Sequence, residues 1–217
     1  MKRTKLSDRQ LPDYSRGEEI MNMVTHIVGG AVGVVALTLC VIFAALHGNP
    51  WGVVTSAIYG SAMVTMFTIS SVYLGKKVMQ VIDHCTIYFL IAGTYTVILL
   101  SAIRPENPVL AWVLFGFEWG MVALATTLTA IDLKKYRVFS MICYIGMGWA
   151  IIFFAKQAMQ ALTFPGFLLL LLGGIAYTVG SILYGLGKRR KWMHSVFHIF
   201  VDLGALLQFF CVLFYAI

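Results

Sequence analysis

Long apolar runs follow one another along almost the whole chain, separated only by short polar breaks, and this leaves the sequence few ways to fold. About 20 consecutive apolar residues are needed for a helix to cross the hydrocarbon core of a bilayer. Seven runs of that length can be marked, at about 24–46, 51–74, 83–103, 109–131, 138–160, 163–187 and 192–216. The breaks carry turn chemistry: His47-Gly48-Asn49-Pro50, Leu74-Gly75-Lys76-Lys77, Arg104-Pro105-Glu106-Asn107-Pro108, Pro165-Gly166 and Gly187-Lys188-Arg189-Arg190-Lys191. Composition supports a lipid solvent: 60% of the 217 residues are hydrophobic and 12% charged, against roughly 45–50% and about a quarter in soluble domains. The predicted fold is therefore all-α, a polytopic bundle of seven transmembrane helices. Residues 1–23 form a cytoplasmic tail and 24–217 a single membrane domain.

The basic residues set the expected orientation. Fourteen of the 16 Lys and Arg fall in the N-terminal tail and the second, fourth and sixth loops, leaving only Arg104 and Lys156 on the other side. Such a bias puts the basic side in the cytoplasm, with the N-terminus inside and the C-terminus outside. The net charge of +7 is thereby accounted for by topology, and no nucleic-acid partner is expected, because a basic binding patch needs a soluble face. The first apolar run follows a charged segment and is too long for a leader's apolar core, so it is read as a retained span. Cys40, Cys85, Cys143 and Cys211 lie one to a run with no paired spacing, and read as small core residues rather than disulfides or metal knuckles.

Ionisable groups within spans cost a few kcal/mol each on insertion scales and tend to face a cavity or a partner. With the orientation above, several converge on the cytoplasmic leaflet: Glu19, Asn22 and His26 at the first span, Asp83 and His84 at the third, His194 and His198 at the seventh. His194 and His198 are spaced i, i+4, which puts both imidazoles on one helical face and is a spacing by which one helix supplies two ligands to a zinc ion. Two histidines hydrogen-bonded inside a helix bundle have the same spacing. Asp202 extends the stripe by one turn towards mid-bilayer. Glu118, beside Trp119 in the fourth span, is either an interior hydrogen-bonded carboxyl or part of a cavity or proton path. Gly29-x-x-x-Gly33 and Gly173-Gly174 are read as packing positions, and Trp51, Trp112 and Trp192 as interfacial belt residues.

At these residues the sequence resembles the bacterial hemolysin III family, which is related to the progestin and adipoQ receptors. The likeness runs through Glu18-Glu19-Ile20-Met21-Asn22-Met23-Val24-Thr25-His26, Ser70-Ser71-Val72-Tyr73, and the stretch from Asp83-His84-Cys85 to Gly93-Thr94-Tyr95-Thr96. It continues in Gly146-Met147-Gly148-Trp149 and His194-Ser195-Val196-Phe197-His198. The resemblance implies seven helices with a cytoplasmic N-terminus and a zinc site near the cytoplasmic face. The implied ligands are a Ser-x-x-x-His closing span two, an aspartate opening span three, and the histidine pair of span seven; here Asp83, His194 and His198 match. The pattern anchored at Ser70 puts Leu74 where the family has histidine, the segment from Tyr73 to Asp83 is short, and Val97 stands where the family commonly has proline. The expectation for this chain is a weakened or absent zinc.

By analogy with related ceramide-cleaving enzymes, the first expected function is a metal-dependent hydrolase of lipid amides in the bacterial plasma membrane. Asp83 would orient or deprotonate the attacking water, and membrane lipids would be the partners. The alternative is a non-enzymatic receptor-like or membrane-homeostasis protein with a structural or lost metal. Cytolysis, suggested by the family's name, finds no soluble-to-membrane switch and no amphipathic pore-lining stripe in the sequence. A transporter finds no inverted repeat.

Overall fold

The computed structural model describes residues 14–72, 77–186 and 191–217. Leu74, Lys76, the run 188–190 and the tail residues Lys2, Arg3, Lys5 and Arg9 lie outside the described residues. The chain enters its first helix at a polar signal rather than at the apolar run. Ser15 caps the Glu18 N–H, and the Glu18 side chain reaches back to the Ser15 N–H at 3.0 Å, a capping box. Helix α1 therefore spans Arg16–Leu46 and begins well before the tail boundary expected at residue 24. After the turn at residues 47–49, α2 runs Pro50–Val72, and α3 runs Lys77–Val97 before a wider π turn at Ile98–Ile103. Helix α4 (Pro108–Ile131) opens on Asn107, whose side chain accepts from the Leu110 N–H. It is followed by α5 (Arg137–Trp149), a tight turn at Ala150–Phe154, α6 (Ala155–Leu186) and α7 (Met193–Cys211).

All the described elements are helical, with no strand among the described residues. Among the described residues, six helical stretches are long and apolar enough to cross a membrane. The expected fifth and sixth spans are one 50-residue stretch, 137–186, on that measure. Its backbone leaves helical geometry at Thr163 (φ 59°, ψ 170°), just ahead of Phe164-Pro165-Gly166. Proline lacks an N–H and crowds the preceding turn, so the interruption falls where the Pro-Gly was expected to break the chain.

Helix α3 is the axis of the bundle: 78% of its most apolar stretch is buried, against 28–44% for the others. Around it α1 packs on α2 and α7, α6 on α7, and α4 on α3. Tyr59, Met63 and Phe67 of α2 and Val97, Ile98 and Leu99 at the end of α3 fill the centre. Outward-facing positions hold large apolar side chains, among them Leu46, Val109, Val138, Phe153 and Leu186. Such a surface is unsustainable in water over this area and is natural against lipid. All four cysteines are free and buried, as expected. At the end opposite the histidine cluster, the Arg104 guanidinium lies 4.3 Å over the Trp51 ring, and Trp51 meets Trp112 edge to face.

Candidate functional site

At one end of the bundle α1, α2, α3 and α7 meet, and their polar residues meet with them. On α7 the i, i+4 pair brings the His194 and His198 rings to 4.3 Å between centroids. His26 of α1 comes against the same face, 4.0 Å from His198, with its rim on Phe67. Three imidazoles from two helices are thus in ring contact. His26 and His198 are each 6% exposed, and all three rings keep a buried Nδ1 with no hydrogen-bond partner. A buried polar atom without a partner is uncommon in folded proteins and marks a place with work to do.

Asp83 flanks this cluster. The Ser70 hydroxyl at the end of α2 donates to its Oδ1, and its other oxygen lies 3.8 Å from His84 Nδ1. The same His84 nitrogen faces the Gln80 carbonyl at 2.8 Å, and the Tyr144 hydroxyl donates to the His84 carbonyl. Asp83 is an electrostatic neighbour of His26, and His84 of His194. Asn22, one turn before His26, accepts from the Ser195 hydroxyl at 2.7 Å and so ties α1 to α7.

The residues expected from sequence therefore assemble, with two exceptions. Glu19 is exposed, and its neighbour Glu18 is the buried one. Glu18 accepts from the Trp192 N–H at 2.7 Å, joining the starts of α1 and α7. Glu118 is 1% exposed, but it belongs to α4 and is an electrostatic neighbour of Tyr95, with neither carboxyl oxygen partnered. Asp202 lies inward of His198 along α7, its Oδ1 buried and unpartnered.

Sequence reasoning missed the roof of the site. Tyr14 stacks on His194 at 5.1 Å, Tyr184 of α6 packs on its other side, and Trp192 stands in the left-handed region (φ 68°) to start α7. A Cβ on Gly17 would come 3.1 Å from the Trp192 ring, so that ring closes over glycine. The signal for the α1 end of this roof was legible as Ser15-x-x-Glu18, the capping-box spacing.

The zinc that the resemblance implies is tested by this donor set. The free ring nitrogens of His194 and His198 have suitable chemistry. The set as a whole does not fit: Asp83 is engaged by Ser70, the sequence has Leu74 at the remaining ligand position, and no three His, Cys, Asp or Glu among the described residues stand where they could hold an ion. No step below passes through a metal.

Comparison with known proteins places this arrangement. The family described as "Haemolysin-III related" matches residues 14–209. The chain is 36% identical over 206 residues to "Hemolysin-3" of Bacillus cereus, covering 92% of each chain. It is also 36% identical to the "Hemolysin-3 homolog" of Bacillus subtilis (strain 168), covering 92% of this chain and 95% of that one. More distantly, it is 25% identical over 179 residues to the human "Monocyte to macrophage differentiation factor", covering 77% of this chain and 72% of that protein. The chain, a helical membrane protein with four of its five histidines gathered at one end of the bundle, belongs to the haemolysin-III-related family.

Proposed function

We propose that this protein resides in the bacterial plasma membrane, crosses it seven times with its N-terminus in the cytoplasm, and acts through the histidine cluster on the polar part of a membrane lipid. The 50-residue stretch 137–186 would be about 75 Å long as a straight helix, more than twice the ~30 Å hydrocarbon core. Reading it as two crossings joined at Thr163 gives seven spans and leaves 14 of the 16 basic residues on one side.

The reaction class favoured is hydrolysis of a lipid amide. The observation that carries it is the group of three contacting imidazoles with unpartnered nitrogens beside a carboxylate held by Ser70. In this reading Asp83 takes a proton from water as the water oxygen adds to the amide carbonyl carbon. Asp83 passes that proton to a histidine of the cluster, which gives it to the departing nitrogen as the C–N bond breaks, leaving a fatty acid and an amine. Proton transfer by a positioned side chain contributes about 10²–10⁴-fold. The test is fatty-acid release from a ceramide by the purified chain: Asp83→Asn and His198→Ala are expected to abolish it.

A second reading, a receptor-like or homeostatic protein without turnover, is favoured by the closure of the site beneath Tyr14 and the Glu18–Trp192 bond. Absence of release from the wild type would select it. Both readings carry a weakened zinc. Elemental analysis is expected to give well below one zinc per chain, rising towards about one in Leu74→His as the fourth position regains its donor. Stoichiometric zinc in the wild type would contradict that.

A further inference from the structure

The α7 stripe does not stop at the histidines. One turn inward, Asp202 turns its carboxyl towards α1 at Gly29, where a Cβ would fall 2.7 Å from Oδ1 and 2.3 Å from the Phe67 ring. Only a residue without a side chain leaves room for the carboxylate. Tyr177 of α6 is the electrostatic neighbour of Asp202. Its ring lies flat against α7 at Gly204, 2.9 Å from where a Cβ would stand. Tyr177 in turn neighbours Tyr59 of α2, which is 1% exposed and flanked by Cys40 and Cys211.

Asp202 Oδ1, the Tyr177 hydroxyl and the Tyr59 hydroxyl are all buried, and none has a hydrogen-bond partner in the protein. Three other tyrosine hydroxyls of the core are satisfied. Tyr95 donates to the Gly148 carbonyl, Tyr144 to the His84 carbonyl, and Tyr88 lies 3.4 Å from the Thr129 hydroxyl. A buried carboxyl or phenol without a partner costs the desolvation of that group. Three such groups in succession, from three different helices, call for a partner that can bond to them. Buried water does this, typically making about three bonds to polar groups that would otherwise go unpaired.

We propose that the polar site continues inward from His198 as a file of ordered water bridging Asp202, Tyr177 and Tyr59, a proton-conducting link from the cytoplasmic end to the middle of the bundle. The ligand is water rather than a lipid head group, because Tyr59 is enclosed by the bundle on all sides. The inference is independent of any hydrolytic activity.

Hydroxyl-radical footprinting of the full-length, detergent-purified protein tests it, since radicals generated in trapped water oxidise the side chains around it. Tyr59 and Tyr88 form a matched pair, 1% and 0% exposed, one without a protein partner and one with. The water file predicts that Tyr59 is oxidised several-fold faster than Tyr88; equal rates overturn it. Thermal stability of Tyr59→Phe gives a second, opposite-signed readout. If the hydroxyl binds water, its removal breaks bonds and lowers Tm. If it is dry, removal of an unpaired buried group raises Tm, and the proposal fails.

Discussion

Gly29 separates the residues that build the site from those that merely pass near it. A methyl group there would collide with Phe67 and with Asp202, and overpacking of this kind costs about 1–3 kcal/mol. Gly29→Ala is expected to lower Tm by that measure, whereas Gly116→Ala, with nothing within 4 Å of its would-be Cβ, leaves Tm unchanged or higher. Equal effects would mean that α1 does not approach α2 and α7 as described. At this scale much of the site was legible, because an ionisable residue in an apolar run stands out against its neighbours: His26, His194 and His198 are in ring contact and Asp83 neighbours His26. The roles of Glu18 and Glu19 were not legible. The two acidic residues are adjacent in a polar segment, and only the cap geometry and the bond from Trp192 show which one faces inward. Tyr59 and Tyr177 were hidden for the opposite reason: a tyrosine in an apolar run reads as bulk until its hydroxyl is seen to lack a partner.

Among the elements, the interrupted stretch 137–186 carries the most consequence. Thr163 sits at φ 59°, ψ 170°, a region nearly reserved for glycine, and its side chain is exposed, so little packing depends on it. Thr163→Gly is expected to relieve the strain and raise stability by about 1 kcal/mol after glycine's own entropic cost, read as a higher Tm. A fall in Tm would show that the threonine is not strained there. Element positions were readable wherever proline and glycine punctuate the sequence: α2 starts at Pro50 and α4 at Pro108, each within a residue of expectation. Helix α1 extends upstream of the apolar run expected to span the membrane, because apolarity marks the span and not the helix. The first turn of that helix, Arg16-Gly17-Glu18-Glu19, is polar and is held by the Ser15–Glu18 box. The π turn at Ile98–Ile103 has no local sequence cause; α3 is enclosed there, and its neighbours set the geometry.

For the molecule as a whole, the proposed topology rests on the charge bias, 14 of the 16 basic residues falling on one side. If 137–186 crosses twice, single cysteines introduced at Phe164 and at Lys134, both exposed positions, label from opposite sides of the membrane. The background would have the four native buried cysteines replaced. The seven-span reading predicts position 164 reactive from outside and 134 only from inside; labelling from the same side would contradict it. The proposed topology would put the three imidazoles, Asp83 and their roof at the cytoplasmic end of the bundle, within reach of a lipid head group. The most direct test of that site is fatty-acid release from a ceramide by the purified protein, compared with His198→Ala at matched folding as judged by Tm. The account predicts release by the wild type and a loss of about 100-fold or more in the variant. Equal release from both, or none from the wild type, would contradict it.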